Sequence, residues 1–436
     1  MKAVMTEQRT AIIGALLIVI GPLSLSLYTP AMPILVQAFE TTPAMLKLSL
    51  SVYFCGFAVS QLICGPLSDA FGRRPAAIGF FCIYVAGSIL AATASDISWF
   101  IAARGIQGVG AAAGPAISRT IVRDQFTGQA SARILNLIGT MLAIGPAVAP
   151  TLGGVILGVL GWQAIFYVMV ACGLSALCFL ALAVPETNTS PNLRQIRPSF
   201  ILRNYATLLS HAGFMRASLL IGFSLGGIYT LAAILPFVLI ESAGLTPTQF
   251  GLSMLCQTLS YMLGTVVAGR ALKRVEADRL IPIGVALVLV AGLTIGALAW
   301  LVPPSFITVM GPVGLWAFGV ALLLPGGTTS ALSGFPRMAG AAAALMGCMQ
   351  IGGGFIGSAV ASLLPSPLMA LGTVVPAMAV LSLLPIALLR PPSIGPGRVE
   401  EADLEIATDP AGLIGAAGEE IEAEIFKPSR PGSRSV

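Results

Sequence analysis

The chain has 436 residues, 56% of them hydrophobic and 9% charged, with a net charge of +5 and a mean hydropathy of +0.92. A water-soluble globular chain carries about 25% charged residues, so that class is excluded. The basic residues lie singly or in pairs between apolar runs, the pattern of membrane topology and not of a phosphate-binding surface, which excludes nucleic acid as a partner.

A span needs roughly 20 mostly apolar residues. Twelve such runs are predicted, at 11–35, 47–65, 76–94, 99–119, 134–158, 163–184, 217–240, 250–270, 280–302, 306–330, 339–362 and 367–389. The first follows Lys2 and Arg9 and continues to Leu35, too long for the core of a signal peptide, so it is expected to be retained. Seven cysteines fall in or beside these runs without paired CxxC spacing, which reads as packing and not as disulfide or metal chemistry.

Between the second and third runs stands Gly65-Pro66-Leu67-Ser68-Asp69-Ala70-Phe71-Gly72-Arg73-Arg74-Pro75. Its charges are costly in hydrocarbon, so it is expected as a tight turn at a membrane face. Placing the N-terminus in the cytoplasm puts Arg73, Arg74, Arg119, Arg123, Arg133, Arg270, Lys273, Arg274, Arg279 and Arg337 inside and leaves only Lys47 outside. Both termini are then cytoplasmic.

The polar stretch 185–216 is expected as a central cytoplasmic loop, with His211 a solvated loop residue. It separates two halves, 1–184 and 217–390, each with six spans. The tail 391–436, which holds nine of the eighteen acidic residues, is expected to be disordered in the cytoplasm. The halves echo one another. Tyr28-Thr29-Pro30-Ala31-Met32-Pro33 is matched by Tyr229 through Pro236, and the glycine-rich fifth span by the eleventh. Such repeats suit a transporter that rocks about a site near the bilayer midplane.

Three further motifs stand in the first half: Arg104-Gly105-Ile106-Gln107-Gly108-Val109-Gly110, the run Gly145 to Gly154, and Gly161-Trp162-Gln163-Ala164-Ile165-Phe166. With the Gly65–Pro75 loop and Leu27–Pro33, they resemble the Bcr/CflA-type drug-resistance transporters of the major facilitator superfamily, over residues 11–390. The resemblance implies an all-α membrane protein of twelve transmembrane helices in two pseudo-symmetric six-helix bundles. It further implies a monomeric inner-membrane drug:proton antiporter without a cofactor. Gln163 stands where the group usually has arginine.

The resemblance also implies roles. Gly65, Asp69, Gly72, Arg73 and Asp124 would form a gating latch: the glycines serve the turn, Arg73 pairs with Asp124, and Asp69 meets the start of span 11 near Ala339. Arg104 and Gln107 would form a charge sensor facing the cavity, although an arginine so near the outer end could instead snorkel to the interface. In span 5, Gly145, Pro146, Pro150, Gly153 and Gly154 would pack closely on the other half, by small-residue contact and proline bending. Ser26, Tyr28, Tyr229, Gln257, Tyr261 and Gln350 are expected to line the substrate cavity or to pack between helices.

One departure is informative. Ser26 stands where many members of that group have aspartate, and no span carries Asp or Glu in its middle. Proton coupling then lacks its usual carboxylate, and the cavity should favour neutral, zwitterionic or anionic amphiphiles through Arg104. Enzyme chemistry is excluded by inventory: one histidine, no nucleotide loop and no metal-ligand cluster. The competing readings are a metabolite exporter or uncoupled facilitator, and a non-transporting receptor or scaffold.

Overall fold

The protein is seen in a computed structural model that describes residues 5–126, 128–188, 193–335 and 338–389; side chains at 123, 128–129, 132–133, 135–137, 139–147 and 194–195 lie outside that description. The expectations for the tail, for Arg123, Arg133 and Arg337, and for the contacts of Gly145 and Pro146 therefore fall outside the described residues.

All regular structure among the described residues is helical. We label the helices α1 (Glu7–Ala38), α2 (Pro43–Phe71), α3 (Arg73–Ala92), α4 (Ile97–Ala111), α5 (Ala113–Gln125), α6 (Gly128–Leu160), α7 (Trp162–Ala183), α8 (Pro198–Ser210), α9 (Ala212–Ser242), α10 (Pro247–Ala271), α11 (Ala277–Leu301), α12 (Phe306–Leu332), α13 (Ala339–Ser362) and α14 (Pro367–Leu388). Among the described residues, ten of these are long and apolar enough to cross a membrane. The predicted fourth span corresponds to α4 and α5 together. The fifth lies in α6, whose described apolar part is Val148–Leu160.

The prolines explain the irregularities. Pro115 has no N–H to return to the carbonyl of Ala111, and the helix breaks at Ala112. In α1, Pro30 and Pro33 remove two donors, and the chain tightens into a 3-10 turn at Thr29–Ala31. There the Thr29 hydroxyl donates to the freed Ser26 carbonyl at 2.9 Å. At the matching place in the second half, Pro236 precedes a π-helical stretch, Phe237–Ser242.

Five helices that begin on one face start with a side-chain cap: Thr42 for α2, Asp96 for α4, Thr246 for α10, Ser305 for α12 and Ser366 for α14. Each satisfies an orphan N–H, worth about 1 kcal/mol.

At the opposite face, the turn expected over Gly65–Pro75 is a single residue. α2 continues through Asp69 to Phe71 and α3 starts at Arg73, leaving only Gly72 between them. Gly72 has φ +105°, ψ 156°, and a Cβ there would sit 2.6 Å from Glu186 Oε2. Gly65, by contrast, lies inside α2, with nothing within 4 Å of a built Cβ, so it does not serve the turn. Gly72→Ala is expected to cost about 1–3 kcal/mol for the backbone region alone and to lower the thermal unfolding midpoint in detergent. Gly65→Ala should leave that midpoint unchanged.

Residues Met1–Arg390 form one compact unit, whose interior holds two main buried clusters. One runs from Met5 to Val184 and takes in Ala233 and Phe237 of α9. The other runs from Tyr205 to Ala379, with Leu62 of α2 against it. Large apolar side chains such as Leu16, Val159, Leu182, Leu263, Ile307 and Leu363 remain exposed, as a lipid-facing belt requires.

The central stretch is more ordered than a polar loop. Leu193–Ile196 forms a 3-10 turn and α8 follows, burying Tyr205 and Leu208. The Tyr205 hydroxyl donates to the Leu62 carbonyl at 2.8 Å, and burial pushes the phenol up to about 12, keeping it a neutral donor. His211 is not free in solvent either. Its Nδ1 accepts from the Phe214 N–H at 3.2 Å, capping α9, and its ring meets Phe335 edge-on.

Candidate functional site

The charged cluster begins with Arg73, whose side chain is 9% exposed. Its Nε donates to Asp124 Oδ2 at 2.8 Å, Nη2 to Asp124 Oδ1 at 3.3 Å, and Nη1 to Ser68 Oγ at 2.9 Å and to Asp69 Oδ1. The Arg73–Asp124 contact expected from sequence is thus present. Asp69 is placed differently from expectation. Four residues before Arg73, it lies beside the guanidinium on the same flank of the α2–α3 corner, and among the described residues Arg73 is its side-chain partner, not the start of α13.

Sequence reasoning missed Glu186. Its Oε1 accepts from the backbone N–H of Arg73, Thr187 and Asn188 at 2.8–2.9 Å, and its Oε2 from that of Arg74 at 3.0 Å. A carboxylate there meets the positive end of the α3 dipole as well as its orphan donors. Thr187 Oγ1 donates to Asp124 Oδ2 at 3.2 Å, closing the cluster. The signal was Pro185-Glu186-Thr187 directly after the sixth span. Every member of this clasp belongs to the first half or the segment just after it.

Arg104 does not face a cavity and does not snorkel: it is fully buried. Its guanidinium carbon lies 4.6 Å from the ring centroid of Tyr28 and 4.4 Å from that of Tyr53, with Phe166 at 6.0 Å. Nη1 donates to Gln107 Oε1, and Gln107 Nε2 donates to Ser88 Oγ at 2.7 Å. Cation–π attraction is worth about 2 kcal/mol or more when desolvated; it takes the place of a counter-ion here. Tyr28 is drawn into the same box, fully buried and bonded to Ser49 at 2.8 Å, and Ser26 is buried too. Both leave the set of cavity candidates, because the aromatic side of α1 turns into its own bundle.

At the capped face, polar contacts join the halves. Lys47, 1% exposed, donates to the Ala361 carbonyl near the C-terminus of α13 at 2.6 Å, where a cation is favoured by the helix dipole. One turn along, Ser51 and Ser358 share a hydrogen bond of 2.7 Å. Lys47, which topology alone made an outer loop charge, is therefore a bridge. Close backbone contact adds to it. A Cβ on Gly154 would lie 2.6 Å from the Pro247 carbonyl oxygen of the other half, whereas Gly153, against expectation, packs within its own half, a Cβ there lying 2.1 Å from the Leu27 carbonyl oxygen. Pro150 lies opposite Gly251 in the same contact.

Tyr229, Gln257, Tyr261 and Gln350 are half-buried on α9, α10 and α13, and none of their side chains makes a hydrogen bond to the described residues. Tyr229 packs against Phe54 of α2, ring centroids 5.5 Å apart. Arg119, read from sequence as a topological charge, is half-buried on α5. Among the described residues, no group of three or more His, Cys, Asp or Glu could hold a metal.

Apolar helices of membrane length with polar bridges between the two halves define a polytopic membrane protein. The family model described as Major Facilitator Superfamily matches residues 14–358. The chain belongs to that superfamily. Among curated relatives it is similar to the bicyclomycin resistance protein homolog of Haemophilus influenzae, 26% identical over 373 residues, covering 82% of this chain and 91% of the relative. It is 28% identical over 346 residues to multidrug resistance protein D of Escherichia coli, covering 79% and 86% respectively. The xylose transporter XylE of E. coli, in a partially occluded inward-open conformation, shares the fold with a TM-score of 0.67 at 13% identity, covering 87% of this chain and 96% of that one.

Proposed function

We propose that this protein exports amphipathic small molecules, neutral, zwitterionic or anionic, across a bacterial inner membrane by alternating access. The observation that carries the reading is the half-buried set Tyr229, Gln257, Tyr261 and Gln350, which offers aromatic faces and hydrogen bonds but no carboxylate to anchor a cation. The relatives' names, bicyclomycin resistance and multidrug resistance, support drugs as the cargo. The working unit is a monomer with both termini in the cytoplasm, and residues 1–184 and 217–390 rock as two bundles. The Arg73 clasp stiffens the cytoplasmic corner of the first bundle, while Lys47 and Ser51 close the outer side. Inward proton flow drives the cycle.

In proteoliposomes, chloramphenicol should move only when a pH step is imposed. Flux indifferent to the step would remove the coupling and leave an uncoupled facilitator. The absence of a mid-span carboxylate favours the second reading, a metabolite exporter. Efflux of amino-acid or sugar derivatives from a pump-deleted host, with no gain in drug tolerance, would establish that reading instead.

A further inference from the structure

The export cycle leaves one helix without a task, α8, which stands between the Glu186 contacts and α9. It is not an extension of α9. His211 between them is extended, φ −88°, ψ 108°, so the chain turns and α8 leaves the line of that membrane-spanning helix. Its side chains fall into rows at spacings of three and four. Ile201, Tyr205 and Leu208 face the protein, with the Tyr205 hydroxyl on the Leu62 carbonyl of α2 at 2.8 Å. Leu202, Ala206 and Leu209 form a second row and are exposed, the two leucines by 68% and 48%. Ser199, Arg203, Thr207 and Ser210 make a polar row beside it, with Phe200 exposed on its far flank.

Charge and position identify what covers the leucine row. Arg194, Arg197, Arg203 and Arg216 stand in the stretch between Glu186 and Glu241, which has no acidic residue. Glu186 itself is taken by backbone N–H groups. Arg197 and Arg203 are exposed, Arg203 on the row next to the leucines. A second copy of this chain laid on the same face about a two-fold axis would bring these arginines against their own kind, which is costly. The exposed apolar belt also reaches α8: Ile63, next to the residue whose carbonyl Tyr205 holds, is exposed, as is Val59 one turn before it. An apolar row beside that belt, with arginine along its edge, is the pattern of a helix lying in a bilayer interface. Guanidinium and phosphate there form paired hydrogen bonds.

We propose that α8 is a docking surface for acidic phospholipid: Leu202, Ala206 and Leu209 enter the acyl boundary of the leaflet on the clasp side, and Arg197 and Arg203 hold the headgroups. The bilayer thereby grips the link between the halves through the helix that Tyr205 pins to α2. This holds whatever cargo the protein moves.

The test offers the full chain in detergent equal amounts of phosphatidylglycerol and phosphatidylcholine, and counts the lipids that stay bound by native mass spectrometry. The wild type should retain phosphatidylglycerol in preference. The double variant Arg197→Gln, Arg203→Gln should reduce that preference roughly fivefold or more, the scale of basic residues at an anionic surface. Arg197→Lys, Arg203→Lys should keep most of it. In phosphatidylglycerol nanodiscs, the fluorescence added by Leu202→Trp should be quenched by brominated acyl chains and not by acrylamide. An unchanged preference in the glutamine variant overturns the proposal, and so does quenching of Leu202→Trp by acrylamide. Equal loss of both lipids overturns it as well, because charge then plays no part. A wild-type dimer that Leu202→Glu dissociates would make the row a contact between copies and overturn the lipid assignment. Each of these results leaves the export reading standing.

Discussion

Arg73→Ala is expected to abolish transport and to lower the thermal unfolding midpoint in detergent, while Arg74→Ala leaves both near wild type. The guanidinium of Arg73 touches Asp124 twice, Asp69 and Ser68. That of Arg74 reaches, among the described residues, only the Ala181 carbonyl. Removing one partner of a buried pair costs about 3–5 kcal/mol, because the other charge is stranded. Asp69 is 41% and Asp124 20% exposed, so water recovers part of the loss and about 2–3 kcal/mol is expected. Arg73→Lys should recover only part, since an ammonium cannot reach Asp124 through two nitrogens at once. Thermal scans and chloramphenicol flux read the two effects separately. Equal losses in Arg73→Ala and Arg74→Ala would reduce the clasp to an ordinary pair of topological charges.

The second large effect is expected at Gly154. The α6 and α10 backbones touch there, with Gly154 under Pro247 and Gly251 under Pro150. Gly158, one turn further along α6, faces open space. Gly154→Leu must therefore part the two helices, whereas Gly158→Leu only adds surface. Overpacking costs about 1–3 kcal/mol. If that cost falls on the closed outer side alone, the balance between open and closed forms shifts by roughly tenfold or more. Flux should collapse in Gly154→Leu with the protein still monodisperse, and outer cysteine probes near Leu27 should label faster. Gly158→Leu should keep wild-type flux. Similar behaviour of the two leucine variants would return the glycines of α6 to plain packing.

Much of the fold was legible because apolar runs of membrane length have few other physical uses. Their ends were less so. Ser68 and Asp69 look like loop residues by polarity, yet they sit in α2, where their side chains accept from Arg73 and their carbonyls from the Asn188 side-chain amide. The clasp pair Arg73–Asp124 could be read from charge at one face, but Glu186 acts through backbone N–H groups that no side-chain pattern displays. Direction around a helix was the main loss. Arg104 and Tyr28 stand in polar-looking motifs but turn into their own bundle, and Lys47 resembles any outer loop charge until its bond to the Ala361 carbonyl across the halves is known. Tyr229 and Tyr261 are half-buried against the first and the second cluster respectively.

Lys47 has one hydrogen bond, to a helix carbonyl, and almost no exposed surface. When the mouth of the protein gapes, that ammonium must regain its hydration shell, and it must shed the shell again when the mouth shuts. Each turnover thus wets and dries one fixed charge, a recurring toll set by the solvent more than by the cargo. Osmolytes that shun protein surface, such as sucrose, would then favour the shut form and slow the pump from outside without touching the substrate path.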